Sequence, residues 1–266
     1  MLVLVGLGLE TKDISVRALE EIKKADRLFI ETYTAFISDD YLPFIEKEAG
    51  KKAEKINRKD LEDNVKEVVA MAKREMVALL FVGDPLIATT HNIVLNEAAR
   101  QNVKYKVMHS TSVLSVAIGE SGLNSYNFGP VVTVPFWFKN YKPVSFLDAL
   151  SRNVKNKEHT LMLLDIDQVN AMPMKIEEAT EILVAAEAEK KTGLVKFTRK
   201  IMILANVGKK SQSIMYLQIK DINSKVKKAL EGKALSLVFP SRMNFVEEES
   251  VERVTRNYVH NSTTPK

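Results

Sequence analysis

Cysteine is absent from this 266-residue chain, which excludes disulfides, thiolate metal sites and thiol nucleophiles together and fits a reducing compartment. Histidine is scarce, and His91, His109, His159 and His260 stand far apart without metal-ligand spacing, so no metal site is expected. No apolar stretch approaches the roughly 18 residues that a membrane helix needs. The opening Met1-Leu2-Val3-Leu4-Val5 carries no basic region before Gly6, unlike a secretory signal. The expectation is a cytoplasmic protein without membrane contact. Neither sign of charge predominates: 39 basic residues stand against 34 acidic ones, interspersed, and the net charge of +5 leaves no nucleic-acid footprint. The chain also lacks a Gly-x-x-x-x-Gly-Lys-[Ser/Thr] loop for triphosphates. Ser112 lacks the Gly-x-Ser-x-Gly elbow that would expose it as the nucleophile of a triad with His91 and Asp84.

What is present is an ordinary soluble composition, 45% hydrophobic and 27% charged, in a chain long enough for two medium domains. The organising stretch is residues 77–91. Val77 to Val82 is an unbroken apolar run, as in a strand buried on both faces of a parallel sheet. It stops at Gly83-Asp84-Pro85, where Pro85 forces Asp84 out of the helical region and presents its carboxylate at the sheet's carboxyl edge, the edge at which open α/β sheets bind ligands. Thr89 and Thr90 offer caps for a following helix. A plain strand-to-helix turn without a ligand is the alternative reading of this stretch.

Before it, strands are expected at residues 1–9 and 27–30. Helices are expected over Asp13–Ala25, over Tyr41–Ala49 closed by Gly50, and from an Asp60 cap through Leu61, Val65, Val68, Val69 and Ala72. After it comes a strand at Tyr105–Met108. This alternation predicts a mostly parallel sheet in a domain of residues 1–110. Residues 111–246 are less regular: closely spaced strands around 131–134, 160–166, 201–205, 214–218 and 235–239 predict antiparallel pairs in a mixed sheet, with Lys175–Lys191 as the longest helix. From Glu247 to Lys266 the polar sequence predicts a frayed tail. The fold class is thus α/β, with two α/β domains.

Several strands end in polar or small residues: Gly6 to Leu9, Gly83 to Thr90, Ser110 to Ser112, Asp165 to Asp167, and Ala205 to Gly208. If the two domains face each other with these ends, their loops line one small-molecule cleft. Gly6-Leu7-Gly8 with Glu31 invites a dinucleotide reading, but Thr11 stands where the third glycine of Gly-x-Gly-x-x-Gly belongs. What the two glycines offer is backbone accessible to a flat ligand. His91 reads as a helix N-terminal residue with a local hydrogen bond, His109 as a strand-end residue, and Trp137 as core or a dimer contact.

The chain resembles the diphthine synthases, members of the tetrapyrrole methylase superfamily of S-adenosylmethionine-dependent methyltransferases. The resemblance runs over nearly the whole chain. It rests on Val5-Gly6-Leu7-Gly8-Leu9 with Asp13-Ile14, Glu31-x-Tyr33-Thr34, Gly83-Asp84-Pro85 with Ala88-Thr89-Thr90-His91, Ser125-Tyr126-Asn127-Phe128-Gly129, His159-Thr160-Leu161 leading to Leu164-Asp165-Ile166, and Ala205-x-x-Gly208. It implies S-adenosylmethionine folded into the cleft between two domains of a homodimer, touching Leu9, Asp84, Ile87, Ser112, Val113 and Leu163, with Asn206, Val207 and Leu235 at the far end. The implied reaction is repeated methylation of the 3-carboxy-3-aminopropyl-histidine of translation elongation factor 2, on the way to diphthamide. Asp84 is the side chain most expected to serve the cofactor, and no general base is singled out. The chain departs from the family's pattern at Asn206, where arginine is frequent, and at Ala234-Leu235, where histidine is frequent. Competing readings are another tetrapyrrole-type methylase, a catalytically weak binding protein for the elongation factor, and a nicotinamide dehydrogenase, the last disfavoured by Thr11.

Overall fold

A computed structural model describes residues 1–37, 40–167 and 172–261, in two compact units, Met1–Leu114 and Ser115–Lys266. In the first unit the chain runs β1 (Leu2–Gly6), α1 (Val16–Lys24), β2 (Arg27–Glu31), α2 (Tyr41–Ala49), β3 (Ala53–Ile56), α3 (Arg58–Glu62), α4 (Val65–Met71), β4 (Val77–Phe81), α5 (Asn92–Arg100) and β5 (Tyr105–Met108). The sheet order is β3-β2-β4-β1-β5 and every pairing is parallel. Parallel strands linked by helices are covered on both faces, and this explains the unbroken apolar runs. Leu2 and Leu4 join Val77, Leu79 and Phe81 in the core on one face, while Val3 and Val5 join Ala78 and Leu80 on the other.

Three local features differ from the sequence expectations. Ala53–Ile56 forms an edge strand that the charges of Glu54 and Lys55 conceal, since only Ala53 and Ile56 are buried. The helix expected after Asp60 is two helices, capped first by Asn57. Asn57 accepts from the Asp60 backbone N–H at 3.2 Å and Asp60 reciprocates at 3.0 Å, so Asp60 is the partner inside the capping box rather than the cap itself. The first crossover begins with a 3-10 turn at Thr11–Asp13, and α1 starts only after Ser15 caps it.

The second unit continues with α6 (Val113–Glu120, which begins two residues before the unit boundary), β6 (Val132–Val134), α7 (Ser145–Lys155), β7 (Thr160–Leu164), β8 (Ile166–Asp167), β9 (Met172–Pro173), α8 (Ile176–Lys190), β10 (Lys200–Ala205), β11 (Ser213–Gln218), α9 (Ser224–Leu230), β12 (Leu235–Phe239) and α10 (Phe245–Asn261). Its sheet, in the order β11-β10-β12-β7-β6, is mixed: β6 and β7 are parallel and the other pairs antiparallel. Its core gathers Leu147, Leu150, Met162, Leu183, Ile203 and Leu237.

The frayed tail expected from Glu247 is instead the 17-residue helix α10, longer than the 15-residue α8. Two apolar side chains, Val251 and Val254, are buried on it, and Gly122 lets its backbone approach closely, because a Cβ there would lie 3.0 Å from the Ser250 carbonyl. The stronger anchor is polar. The buried Glu247 carboxylate accepts from the Asn124 N–H (2.9 Å), Asn127 Nδ2 (3.1 Å) and His159 Nε2 (3.1 Å), and from the Asn244 N–H (3.0 Å). Such long-range partners are invisible to a local reading. Residues 262–266 of that expected tail lie outside the described residues.

Burial works to raise the Glu247 carboxyl, but the N–H groups of Asn244 and Asn124 and the Asn127 and His159 side chains outweigh it and hold the pKa at about 2. A carboxyl depressed in the folded state contributes stability above its unfolded value of 4.5 and loses it as pH falls towards about 2. Glu247→Gln is therefore expected to cost about 2–3 kcal/mol at pH 7. In urea unfolding the gap between variant and wild type should narrow from pH 4.5 downwards; a gap independent of pH would refute this account.

Candidate functional site

The carboxyl edge of the first sheet is built around two glycines. Gly8 and Gly83 both lie in the left-handed region, at φ +73° and +79°. They bridge the exits of β1 and β4: the Gly83 N–H donates to the Gly8 carbonyl at 2.8 Å and the Gly8 N–H to the Gly83 carbonyl at 3.2 Å. A side chain on Gly8 would collide with Asp13, and a Cβ on Gly6 would lie 2.7 Å from the Gly83 carbonyl and 2.9 Å from Ser110 Cβ. The Gly6-Leu7-Gly8 turn thus does not leave backbone open to a flat ligand there. Its missing side chains make room for the protein's own loops. Asp13 secures the turn by accepting the Leu9 and Glu10 N–H groups at 3.0 Å each, and Tyr41 Oη donates to the Gly8 carbonyl at 3.0 Å.

From Gly83 the chain enters Asp84, which is buried at the carboxyl edge as its Gly-Asp-Pro context predicts. Its carboxylate is fully engaged. Oδ1 accepts the Leu86 N–H at 2.9 Å; Oδ2 accepts the Ser110 N–H at 3.1 Å and meets His109 Nδ1 at 2.9 Å. Asp84 therefore ties the exit of β4 to that of β5, and through the Leu86 N–H it shapes the loop that follows. In this loop Ala88 takes φ +57°, a conformation that costs a residue with a Cβ about 1–2 kcal/mol and often accompanies a functional constraint.

Of the other residues named from the sequence, Leu9 and Ser112 are buried, Val113 is half-buried and Ile87 is exposed, all on the first unit. Leu163, Asn206, Val207 and Leu235 belong to the second unit, where adjacent strands bring them to one end of the sheet: Leu163 pairs with Ser236, Leu235 pairs with Ala205, and the Asn206 N–H donates to the Ala234 carbonyl at 2.8 Å. Asn206 sits at φ +47°, accepts the Ala234 N–H on Oδ1 at 3.0 Å and donates to Ser211 Oγ at 3.0 Å. Its side chain thus has a structural use, closing the turn after β10.

Thr89 and Thr90 do not cap α5. The N-cap is His91, whose ring meets the Pro85 carbonyl through Nδ1 at 2.9 Å. This is the local hydrogen bond read from the sequence, yet His91 is only 2% exposed and its Nε2 has no partner. Burial holds its pKa below the usual 6.5 against the opposing effects of the Pro85 carbonyl and Glu62. At the end of β2, Glu31 is also buried and accepts the Thr34 N–H at 2.7 Å, together with the Tyr33 N–H and the Thr34 hydroxyl. Burial pushes this carboxyl up, with those donors pulling it back. Among the described residues no three groups of His, Asp or Glu gather as metal ligands.

Comparisons with known proteins bear on the family and the fold. The model of the tetrapyrrole (corrin/porphyrin) methylases matches residues 1–223. The chain is 31% identical to the diphthine synthase of Methanocaldococcus jannaschii over 97% of its own length and all of that protein, and 38% identical to the diphthine synthase of Archaeoglobus fulgidus over 72% of its length and 73% of that protein's. A crystal structure of diphthine synthase superposes with a TM-score of 0.83 at 29% identity, over 96% of each chain.

The role of Asp84 as a tie between strand exits sets a measurable expectation. Asp84→Asn places an amide N–H where the Ser110 N–H needs an acceptor, or gives up the Leu86 bond instead. Stability in urea should fall by about 1–3 kcal/mol in the absence of any ligand. An unchanged midpoint would show that the carboxylate is not a structural tie.

Proposed function

The chain belongs to the tetrapyrrole (corrin/porphyrin) methylase family, and we propose that it methylates, repeatedly, the 3-carboxy-3-aminopropyl-histidine of translation elongation factor 2 during diphthamide biosynthesis. The donor is S-adenosylmethionine. The observation that carries the reading is the near-complete correspondence, in length and fold, to proteins named diphthine synthase, joined to a rigid carboxyl edge with no nucleophilic elbow. The reading includes a cytoplasmic homodimer.

The residues present fit such a donor. Gly83 is buried, yet a Cβ built on it would find only the Thr111 carbonyl at 4.0 Å, so the strand exit leaves a cradle beside the Gly-Asp-Pro corner. We assign Leu9, Ile87, Ser112 and Val113 to the donor there, with Asp84 holding the loop that carries Ile87 rather than reaching the ligand itself. Leu163, Asn206, Val207 and Leu235 are assigned to it on the resemblance alone, and substitution tests them separately.

When bound, S-adenosylmethionine supplies a methyl group already activated by the adjacent sulfonium charge. The protein's part is to orient and to exclude water, and positioning of this kind is worth about 7–11 kcal/mol of barrier. That division of labour explains why the site has fixed loops with small and apolar side chains along their walls instead of a hydrolytic apparatus. Glycine exits, the Asp84 tie and the Asp13 clasp on the Leu9 and Glu10 N–H groups keep those walls from relaxing.

Calorimetry on the purified protein is expected to show S-adenosylmethionine binding in the micromolar range, about −8 kcal/mol, with none for a nicotinamide dinucleotide. Elongation factor 2 carrying the modified histidine should then gain methyl groups by mass spectrometry, and the unmodified factor none. Cofactor binding without methyl transfer would favour the catalytically weak binding protein; no cofactor binding would refute the enzyme.

A further inference from the structure

We propose that Tyr33, Thr89 and His91 form a subsite for the uncharged amine of the acceptor side chain, holding it through its remaining N–H groups. The proposal deepens the methyltransferase reading and rests on it.

Among the described residues, Tyr33 Oη, Thr89 Oγ1 and His91 Nε2 are the buried side-chain polar atoms without a hydrogen-bond partner. All belong to the carboxyl edge of one sheet. Tyr33 follows β2 and the Thr89–His91 loop follows β4, and these strands are neighbours. The Tyr33 and His91 rings meet edge-on at 6.3 Å between centroids, and Phe81 lies against His91 at 4.2 Å. Tyr33 is 6% exposed and His91 2%, so bulk water does not satisfy them.

The chemistry of the three atoms restricts the guest. The Pro85 carbonyl can only accept, so His91 Nδ1 carries the proton of the neutral ring and Nε2 presents a lone pair. A guest must therefore donate to Nε2. A carboxylate, a phosphate or a sulfonium group has no hydrogen to give. A neutral primary or secondary amine does, and the two hydroxyls can either accept its further N–H or donate to it. The nearby carboxylates are engaged by the protein's own groups: Glu31 accepts the Tyr33 and Thr34 N–H groups and the Thr34 hydroxyl, and Glu62 pairs with Arg58 at 2.7 Å. Burial of the subsite away from water disfavours an ammonium ion, which leaves its proton in bulk water before the amine enters. The amine held is then the form with a free lone pair. Each methyl added removes one N–H, so the neutral dimethylated nitrogen already offers Nε2 nothing, and the subsite serves the first two transfers and then releases the group.

The test separates function from folding. Because the hydroxyls have no partner inside the protein, Tyr33→Phe and Thr89→Val are expected to leave Tm unchanged or raise it, while KM for modified elongation factor 2 rises roughly tenfold and S-adenosylmethionine affinity stays constant. His91→Asn retains a donor for the Pro85 carbonyl and a good N-cap but removes the acceptor, and should give a similar loss in kcat/KM. In the wild type, the 15N resonance of His91 Nε2 is expected to move on titration with 2-aminobutyrate at alkaline pH and not with its N,N,N-trimethyl derivative. A fall in Tm for Tyr33→Phe, equal responses to both probes, or no response, as for a site that holds a water molecule only, would each overturn the proposal. Failure of the wild type to methylate at all would instead strike at the enzyme reading, with the resonance experiment still deciding the subsite.

Discussion

The pair of hydrogen bonds between Gly8 and Gly83 is the constraint on which the rest of the first unit's edge depends. Parallel strands leave their carboxyl ends as separate loops, each free to wander unless something joins them. Here two left-handed glycines let the exits of β1 and β4 approach to backbone distance, which a Cβ on Gly6, 2.7 Å from the Gly83 carbonyl, would prevent. Once β4 leaves at a fixed angle, Asp84 falls within reach of the Ser110 N–H, 26 residues further along, and the exit of β5 is captured as well. Three loops become one surface. Pro85 keeps the corner extended, and its carbonyl then orients His91.

Much of this architecture is legible in the sequence because burial leaves a mark on composition. A strand covered on both faces has to be apolar at every position, so β1 and β4 announce themselves, and close spacing in the second half announces antiparallel pairs. The elements that escape are those whose stability comes from elsewhere. β3 is an edge strand with two exposed charges, and its partner β2 supplies what its own side chains do not. Helix α10 buries Val251 and Val254 but is held at its start by donors from Asn124, Asn127 and His159, more than 80 residues away. Local polarity therefore suggests a loose tail where the fold supplies an anchor.

The site shows the same division. The position of Asp84 follows from the Gly-Asp-Pro corner, while its use does not, because the groups that consume its lone pairs lie on another strand. Read locally, the carboxylate has no partners at all; in the folded chain it meets Ser110, His109 and Leu86. His91 runs the opposite way. Its local bond to Pro85 is the ordinary business of a helix N-terminus, and only the tertiary environment reveals that the other nitrogen is buried and unpaired. The signal available in the sequence was the pair of motifs Glu31-x-Tyr33-Thr34 and Ala88-Thr89-Thr90-His91, since both carry more polar atoms than a turn requires.

The contrast between these two sets of polar groups bears on what the edge is for. Asp84, Asp13 and Glu31 accept N–H groups of the protein itself, so they contribute to holding the loops. Tyr33 Oη, Thr89 Oγ1 and His91 Nε2 each stand to cost about 1–3 kcal/mol when left buried and unpaired, against a net stability of about 5–15 kcal/mol for a typical domain. Replacing the two hydroxyls with apolar groups of the same shape would remove their share of that burden at no structural loss. A chain that retains all three at the carboxyl edge of one sheet, with the other buried side-chain polar atoms of its described residues satisfied, carries them for something other than folding, and the carboxyl edge of a parallel sheet is where such a use is found.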